Sequence, residues 1–300
     1  MTVKIAVALP VYNGEKYLES QINSIINQSD VKPIIYIKDD FSTDSSSKII
    51  IKLSSKYENI KLIESRNNQI NASNAFYEMI ENIPIEDYDY FSFCDQDDEW
   101  NSNKLILAID RLKENSIDGY SSNIIAFWSP NKKKKIIKSY SQKKYDYMFE
   151  SAGPGCTFVI KRNLFLSIKE FIIDNKKEVY SFSSHDWFIY AYARSHNYKW
   201  FIDSSFTMKY RQHHDNEKGA HVGIKSSVTR IKNINSGWYA QEVWKLAKLL
   251  NYKNKLKELI KSPLNFFEFR RNIFDGMFLF FTYVLGYLKP QQRNNQKYHK

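Results

Sequence analysis

Four acids fall within five positions, Asp95-Gln96-Asp97-Asp98-Glu99, directly after the short aromatic run Tyr90 to Cys94 and before Trp100. A run of that length and composition, bounded by charge on both sides, reads as a strand buried on both faces, with carboxylates just past its carboxyl end. In open α/β sheets that edge is where ligands bind. Extended backbone would turn Asp95 and Asp97 to one side and Asp98 to the other. Two hard oxygen donors then converge, which suits a divalent cation holding a phosphate. Taken alone, the cluster also reads as a solvated acidic turn.

The elements that would position it recur along the first hundred residues. Lys4 to Leu9 is a continuous apolar strand, ended by a turn at Pro10-Val11-Tyr12-Asn13-Gly14. A helix is expected from Glu15, with Tyr17, Leu18, Gln21, Ile22, Ile25 and Ile26 at helical spacing. Pro33 to Lys38 is a second strand and runs into Asp39 and Asp40; Ile60 to Ile63 is a third. Helices through Ile49, Leu53 and Tyr57 and over Ala72 to Ile80 complete the alternation. Such a βαβ series implies right-handed crossovers and a mostly parallel sheet with flanking helices. Parallel topology brings Pro10 to Asn13, Asp39-Asp40 and Asp95 to Asp98 to one edge. That convergence favours a metal and nucleotide site over three unrelated turns. G-x-G-x-x-G after the first strand and G-x-x-x-x-G-K are both missing.

Beyond Trp100 the sequence predicts a helix through Leu105, Ile109 and Leu112, a strand over Ile124 to Trp128, and a solvated hairpin tip at Lys132 to Lys135. A tight loop, Ser151 to Gly155, precedes a strand from Cys156 to Ile160. Ser184 is placed to cap a helix carrying Asp186 in its first turn, and two short strands, Trp200 to Ile202 and Phe206 to Tyr210, lead to Arg211-Gln212-His213-His214.

Charge divides the chain near residue 220. From there on, fifteen Lys and Arg face four Asp and Glu, which is the whole of the net +11, so residues 1–219 are neutral. This asymmetry points the C-terminal part at an anionic surface. Leu264 to Leu288 is heavily aromatic, but only Gly276 to Leu288 is uncharged, about 20 Å as a helix against a hydrocarbon core of about 30 Å. An interfacial helix flanked by Arg270, Arg271 and Lys289 is one reading; packing on the catalytic part or on a second subunit is the other. Two cysteines, Cys94 and Cys156, fit a reducing compartment, and the N-terminus shows no apolar signal region, so export is not expected.

Pro10-Val11-Tyr12-Asn13, Lys38-Asp39-Asp40-Phe41-Ser42-Thr43-Asp44 and Cys94-Asp95-Gln96-Asp97-Asp98-Glu99-Trp100 resemble the motifs of family 2 glycosyltransferases of the GT-A fold. The last of these, with Ser184-His185-Asp186-Trp187 and Tyr210-Arg211-Gln212-His213, is similar to the bacterial rhamnosyltransferase branch. The resemblance covers about residues 4 to 217. Phe41 departs from it, standing where the family often has Gly.

What the resemblance implies is specific. Residues 1–219 would be the catalytic domain, with a nucleotide-sugar half over about 1–100 and an acceptor half over about 101–219; residues 220–300 would be a basic, aromatic helical region. Pro10, Tyr12, Asn13, Glu15, Asp40, Asn71, Asn74, Asp95 and Gln96 would line the donor site, with Tyr12 beside the base and Gln96 keeping the spacing of the aspartates. Asp97, Asp95 and His213 or His214 would serve Mg²⁺ or Mn²⁺, and Asp186 would be the general base. Gly153 to Thr157 would lie beneath donor and acceptor. The implied reaction is inverting transfer, L-rhamnose from dTDP-L-rhamnose being favoured over a UDP-hexose, onto a growing surface polysaccharide such as O-antigen, capsule or cell-wall glycan. Implied partners are a lipid-linked oligosaccharide acceptor, an anionic membrane surface on the cytoplasmic side, and a second copy through the C-terminal helices; nucleic acid is not expected. Two competing readings are a nucleotidyltransferase, which wants bases near Pro10 to Glu15 that this chain lacks, and a non-catalytic basic protein binding membrane or nucleic acid, which leaves the acidic strand ends unexplained.

Overall fold

Short apolar runs become strands where both of their faces can be covered, and together with longer, more polar ones they build one sheet of nine strands among the described residues. The computed structural model describes residues 3–65, 71–114, 116–213 and 237–284. The chain divides into two units, Met1–Tyr140 with Ser151–Ala220, and Ser141–Glu150 with His221–Lys300. Ser141–Glu150, in sequence part of the acceptor half, thus groups with the C-terminal region.

In chain order the first unit holds β1 (Lys4–Val11), α1 (Leu18–Ile26), β2 (Lys32–Asp39), α2 (Ser46–Lys56), β3 (Ile60–Leu62), α3 (Ala72–Asn82), β4 (Tyr90–Phe93), β5 (Glu99–Trp100), α4 (Lys104–Glu114), β6 (Gly119–Ser129) and β7 (Lys132–Ile136). A 3-10 turn at Gly155–Thr157 follows, then β8 (Val159–Lys161), α5 (Arg162–Asp174), α6 (Lys176–Tyr180), α7 (His185–Ser195) and β9 (Trp200–Arg211). Strand order is β3-β2-β1-β4-β8-β6-β9-β5, with β7 on β6. The first four strands are parallel. Past β4 the sheet is mixed rather than parallel: β8 is antiparallel to β4 and β6, β9 is parallel to β6, and β5 is antiparallel to β9. The β6–β7 pair is a tight hairpin, which can only be antiparallel.

α1 buries Leu18, Gln21, Ile22 and Ile25, an i, i+3, i+4, i+7 stripe. That stripe joins the alternate residues Ile5, Val7 and Leu9 of β1 in one apolar cluster. On β4, Phe91 stacks on Phe165 of α5 at 3.7 Å, and Phe93 meets Phe76 of α3 edge-on at 6.0 Å. Truncating a buried ring of this kind typically costs about 3–5 kcal/mol. The four lysines expected at a hairpin tip form β7 itself and are all exposed. A charged outer strand of this kind blunts edge-to-edge association. The two strands expected around residue 204 are one, β9, with register shifts against β6.

The second unit contains a 3-10 turn at Asp146–Met148, α8 (Trp238–Leu249), α9 (Lys253–Leu259), a 3-10 segment at Pro263–Glu268 and α10 (Ile273–Val284). Arg270 and Arg271, expected beside lipid headgroups, are instead spent inside this unit. Arg271 lies 3.1 Å from Asp146 and 3.4 Å from Glu150. Arg270 donates to the Phe149 carbonyl at 2.8 Å and sits 3.8 Å from Glu150 and 3.7 Å from Asp275. Ile273, Phe274, Met277, Phe281 and Val284 form an exposed apolar stripe along α10. Among the described residues no helix is long and apolar enough to cross a membrane. His214, Lys289 and the basic stretch around residues 220–236 lie outside the described residues.

Candidate functional site

The register of the parallel strands aligns their carboxyl ends: Val11 pairs with Asp39, and Ala8 with Phe93. The next residues stay tied, Asp40 N–H donating to the Val11 carbonyl at 2.8 Å and Cys94 N–H to that of Ala8 at 2.9 Å. Tyr12, Asp40 and the acidic turn therefore follow neighbouring strand ends. Pro10 falls within β1, past its pairing with β4.

The loops after β1 and β2 fasten each other. Asn13 N–H donates to Ser42 Oγ at 2.9 Å and Thr43 N–H to Asn13 Oδ1 at 2.8 Å. Glu15 N–H donates to Asp44 at 3.0 Å, and Ser45 N–H to Glu15 Oε2 at 2.9 Å. Asn13 and Glu15 thus hold the loop, while the Tyr12 side chain is left 45% exposed. Gln96 does more than space the aspartates. Its amide clamps the Tyr12 backbone, accepting from N–H and donating to the carbonyl, both at 2.9 Å. A Cβ at Gly14 would lie 2.6 Å from Gln96 Oε1, so Gly14 leaves room for the clamp.

Asp40 is nearly buried, and its Oδ1 accepts from Lys38 Nζ and from Ser65 Oγ at 3.0 Å. Lys38, fully buried, also reaches Glu78 of α3 at 3.0 Å. A lysine in an otherwise apolar strand signals such a buried pair, and sequence reasoning gave it no role. Asn71 caps α3, accepting from Asn74 N–H at 3.0 Å. Asn74 Oδ1 is buried without a hydrogen-bond partner among the described residues.

The acidic turn differs from the expectation built on extended backbone. Strand geometry stops at Phe93 and residues 96–97 turn, so alternation no longer applies. Asp98, expected to point away, gathers with Asp95 and Cys156, their ligand atoms all within 4.8 Å of one another. Asp97 instead meets His213, Nε2 to Oδ2 at 2.7 Å. Arg211, quoted in the motif without a role, fixes the turn. Its backbone N–H donates to Asp98 Oδ1 at 3.0 Å, its Nε to the Asp97 carbonyl at 2.7 Å, and its guanidinium pairs with Glu99 at 2.8 Å. Burial works against the Glu99 carboxylate, but Lys209 and Arg211 outweigh it and hold its pKa below the usual range.

Asp98 is fully buried and its Oδ2 has no hydrogen-bond partner among the described residues. Burial first, then the charges of Asp97 and Asp95, push its carboxyl well above the usual range. Burial, Asp98 and Asp95 push the Cys156 thiol up as well. An unfilled buried acceptor among crowded carboxylates fits a divalent cation, with Asp95 and Asp98 as hard donors. Nearby, Lys104 is fully buried; its Nζ lies 3.6 Å over the Trp100 ring and has no hydrogen-bond partner among the described residues.

Asp186 lies in the first turn of α7, and its Oδ1 accepts from Trp187 N–H at 2.7 Å. The Gly155–Thr157 turn links it to the acidic cluster. A Cβ on Gly155 would fall 2.5 Å from His185 Nε2 and 3.3 Å from the Asp186 Cβ, while the next residue, Cys156, belongs to the cluster with Asp95 and Asp98.

Comparison with known proteins decides the family. Residues 6–168 match the family described as glycosyl transferase family 2. The chain belongs to that family. It is a glycosyltransferase, related to bacterial rhamnosyltransferase-like enzymes. It is 39% identical over 288 residues, 93% of this chain and 99% of the relative, to the dTDP-rhamnosyl transferase RfbG of Shigella flexneri. A poly(ribitol-phosphate) beta-glucosyltransferase of Bacillus spizizenii is 34% identical over 118 residues, 39% of this chain and 18% of the relative. Two solved structures share the fold. Staphylococcus aureus TarS with UDP-GlcNAc has a TM-score of 0.53 at 17% identity, covering 83% of this chain and 72% of that one. The Pyrobaculum calidifontis mannosyltransferase PcManGT, with GDP-Man and Mn²⁺, has a TM-score of 0.56 at 13% identity, covering 88% and 72%. The glycosyltransferase thus has a GT-A-like α/β architecture, and its Asp95–Asp98–Cys156 cluster is a candidate divalent-cation site.

Proposed function

We propose that this glycosyltransferase moves L-rhamnose from dTDP-L-rhamnose, with inversion, onto a growing bacterial surface polysaccharide such as O-antigen, capsule or cell-wall glycan. The observation that carries the donor is the similarity, along nearly the whole length of both chains, to the Shigella flexneri protein named a dTDP-rhamnosyl transferase. Residues 1–219 are assigned the catalysis and 220–300 the basic helical region.

In this reading the nucleoside lies at the ends of β1 and β2, beside Tyr12 and Asp40, with Asn71 and Asn74 at the sugar side. The diphosphate lies at the end of β4. Asp95, Asp98 and Asp97 are the residues that would hold a divalent cation, with His213 oriented by Asp97. A bound cation supplies positive charge to the leaving diphosphate oxygens. Asp186 takes the proton from the acceptor hydroxyl, a role worth typically about 10²–10⁴ in rate. Support for the pairing of base and leaving group is that consecutive residues, Gly155 and Cys156, border Asp186 and the acidic cluster.

Hydrolysis and transfer measured on a panel of dTDP-, UDP- and GDP-sugars test the donor. dTDP-L-rhamnose is expected to be turned over fastest, with loss in Asp97→Ala; faster use of a UDP-hexose overturns the assignment. Asp186→Asn is expected to fold, keep donor binding and lose transfer.

The enzyme is further placed at the inner face of the cell membrane, where a lipid-linked oligosaccharide acceptor resides. Supporting this is the apolar stripe of α10, followed in sequence by Lys289, Arg293, Lys297 and Lys300 with no acid between them. Binding to anionic vesicles at low salt, lost in Phe274→Ser/Phe281→Ser, is the expected result. Dimers that dissociate in that variant, with no vesicle binding by the wild type, would assign the stripe to a second copy.

A further inference from the structure

The loop after β2 carries an aromatic side chain in a backbone conformation that suits glycine. Phe41 has φ 60°. In this left-handed region a side chain crowds the backbone, and for a bulky residue it is an outlier. The conformation is pinned on both sides. Asp40 N–H is bonded to Val11, Ser42 N–H to the Asp39 carboxylate at 3.1 Å, and Thr43 N–H to Asn13. Phe41 cannot relax without breaking the fastening between the β1 and β2 loops.

The fold covers only part of the ring in return. It is 50% exposed and stacks on no other ring among the described residues. Two unfavourable features at one position, strained backbone and an exposed phenyl, call for a ligand rather than packing. The surroundings say which ligand. Phe41 directly follows the buried Asp40, and its loop is fastened to the one that bears the exposed Tyr12 ring.

We propose that Phe41 is a donor-binding residue, its ring packing on the nucleoside of the nucleoside diphosphate sugar together with Tyr12. This rests on the placement of the nucleoside at the ends of β1 and β2. An apolar ring face suits a planar base, and stacking tolerates any base, so Phe41 supplies affinity while Asp40 supplies the directional hydrogen bond.

Calorimetric titration of dTDP and of UDP, with melting temperatures, tests this in Phe41→Gly, Phe41→Trp, Tyr12→Ala and Asp40→Asn. Phe41→Gly is expected to melt no lower than wild type, since glycine takes this φ freely, yet to bind both nucleotides about tenfold more weakly. Phe41→Trp should bind within about twofold of wild type. Unchanged binding in Phe41→Gly, while Tyr12→Ala or Asp40→Asn weakens it, overturns the role of Phe41 and leaves the pocket in place. A Phe41→Gly variant that melts several degrees lower also overturns it, by showing a structural role. Unchanged binding in all of these variants overturns the pocket placement as well.

Discussion

The carboxyl ends of β2 and β4 both present aspartates to the same edge of the sheet, yet they are built on opposite electrostatic terms. After β2 the acids are satisfied from within. Asp39 accepts from Ser42 and Ser47, and Asp40 from Lys38 and Ser65. After β4 they are crowded and incomplete, with a buried Asp98 oxygen unbonded and its carboxyl pushed up. The buried lysines follow the same division, Lys38 lying between Asp40 and Glu78 while Lys104 Nζ has no hydrogen-bond partner among the described residues. The first end is preorganised for a neutral polar ligand. The second needs a positive charge to complete it.

The contrast can be broken in four ways. Removing the satisfied lysine should be the most damaging: Lys38→Met leaves two buried carboxylates and is expected to cost about 3–5 kcal/mol in denaturant unfolding. Adding Glu78→Gln should recover part of that, and an unchanged midpoint in the single variant would show that the triad contributes no stability. At the other end, Asp98→Asn is expected to cut turnover by about 10²–10³ and to abolish the rise in melting temperature that Mn²⁺ gives the wild type. Asp40→Asn should keep that rise. If Asp98→Asn keeps it too, the cation is held by other residues.

The third prediction concerns pH. Burial lowers the Lys104 pKa from 10.5 to about 8, against the opposing pull of Cys156, Cys94 and Asp98. Between those two values the unfolded chain holds a proton that the folded chain has released. Stability therefore rises with pH through this window and is lost as pH falls back through about 8. Lys104→Met should flatten that part of a melting-temperature profile. The smallest effect belongs to Ser65→Ala, which removes one hydrogen bond to Asp40 and should weaken nucleotide binding only about two- to tenfold; a larger loss would mean that Ser65 touches the nucleotide.

Much of this was legible in the amino-acid order. Apolar runs located β1, β2 and β4, the first ending in a Pro and Asn-Gly turn and the other two in acids, because strands covered on both faces are mostly apolar until they end. What failed was side-chain direction past Phe93: alternation holds only while backbone is extended, so Asp98 was assigned to the wrong side. Cys156 could not be found by spacing, since only the pairing of β8 with β4 brings it to the acids. Arg270 and Arg271 looked like solvent-facing bases because their partners, Asp146 and Glu150, lie far back in sequence. Lys132 to Lys135 looked like a tip because exposed charge does not distinguish a turn from an outer strand.

The ion pairs of the second unit have a consequence for how the chain is made. Asp146 meets Arg271 across 125 positions. A ribosome adding on the order of ten residues per second leaves that carboxylate waiting roughly twelve seconds for its partner. The first unit's strands are all synthesised within that interval or before it. The second unit is thus assembled last, from a segment made early and a segment made late, and a chain cut short before Arg271 has all of its first-unit strands while Asp146 lacks this arginine.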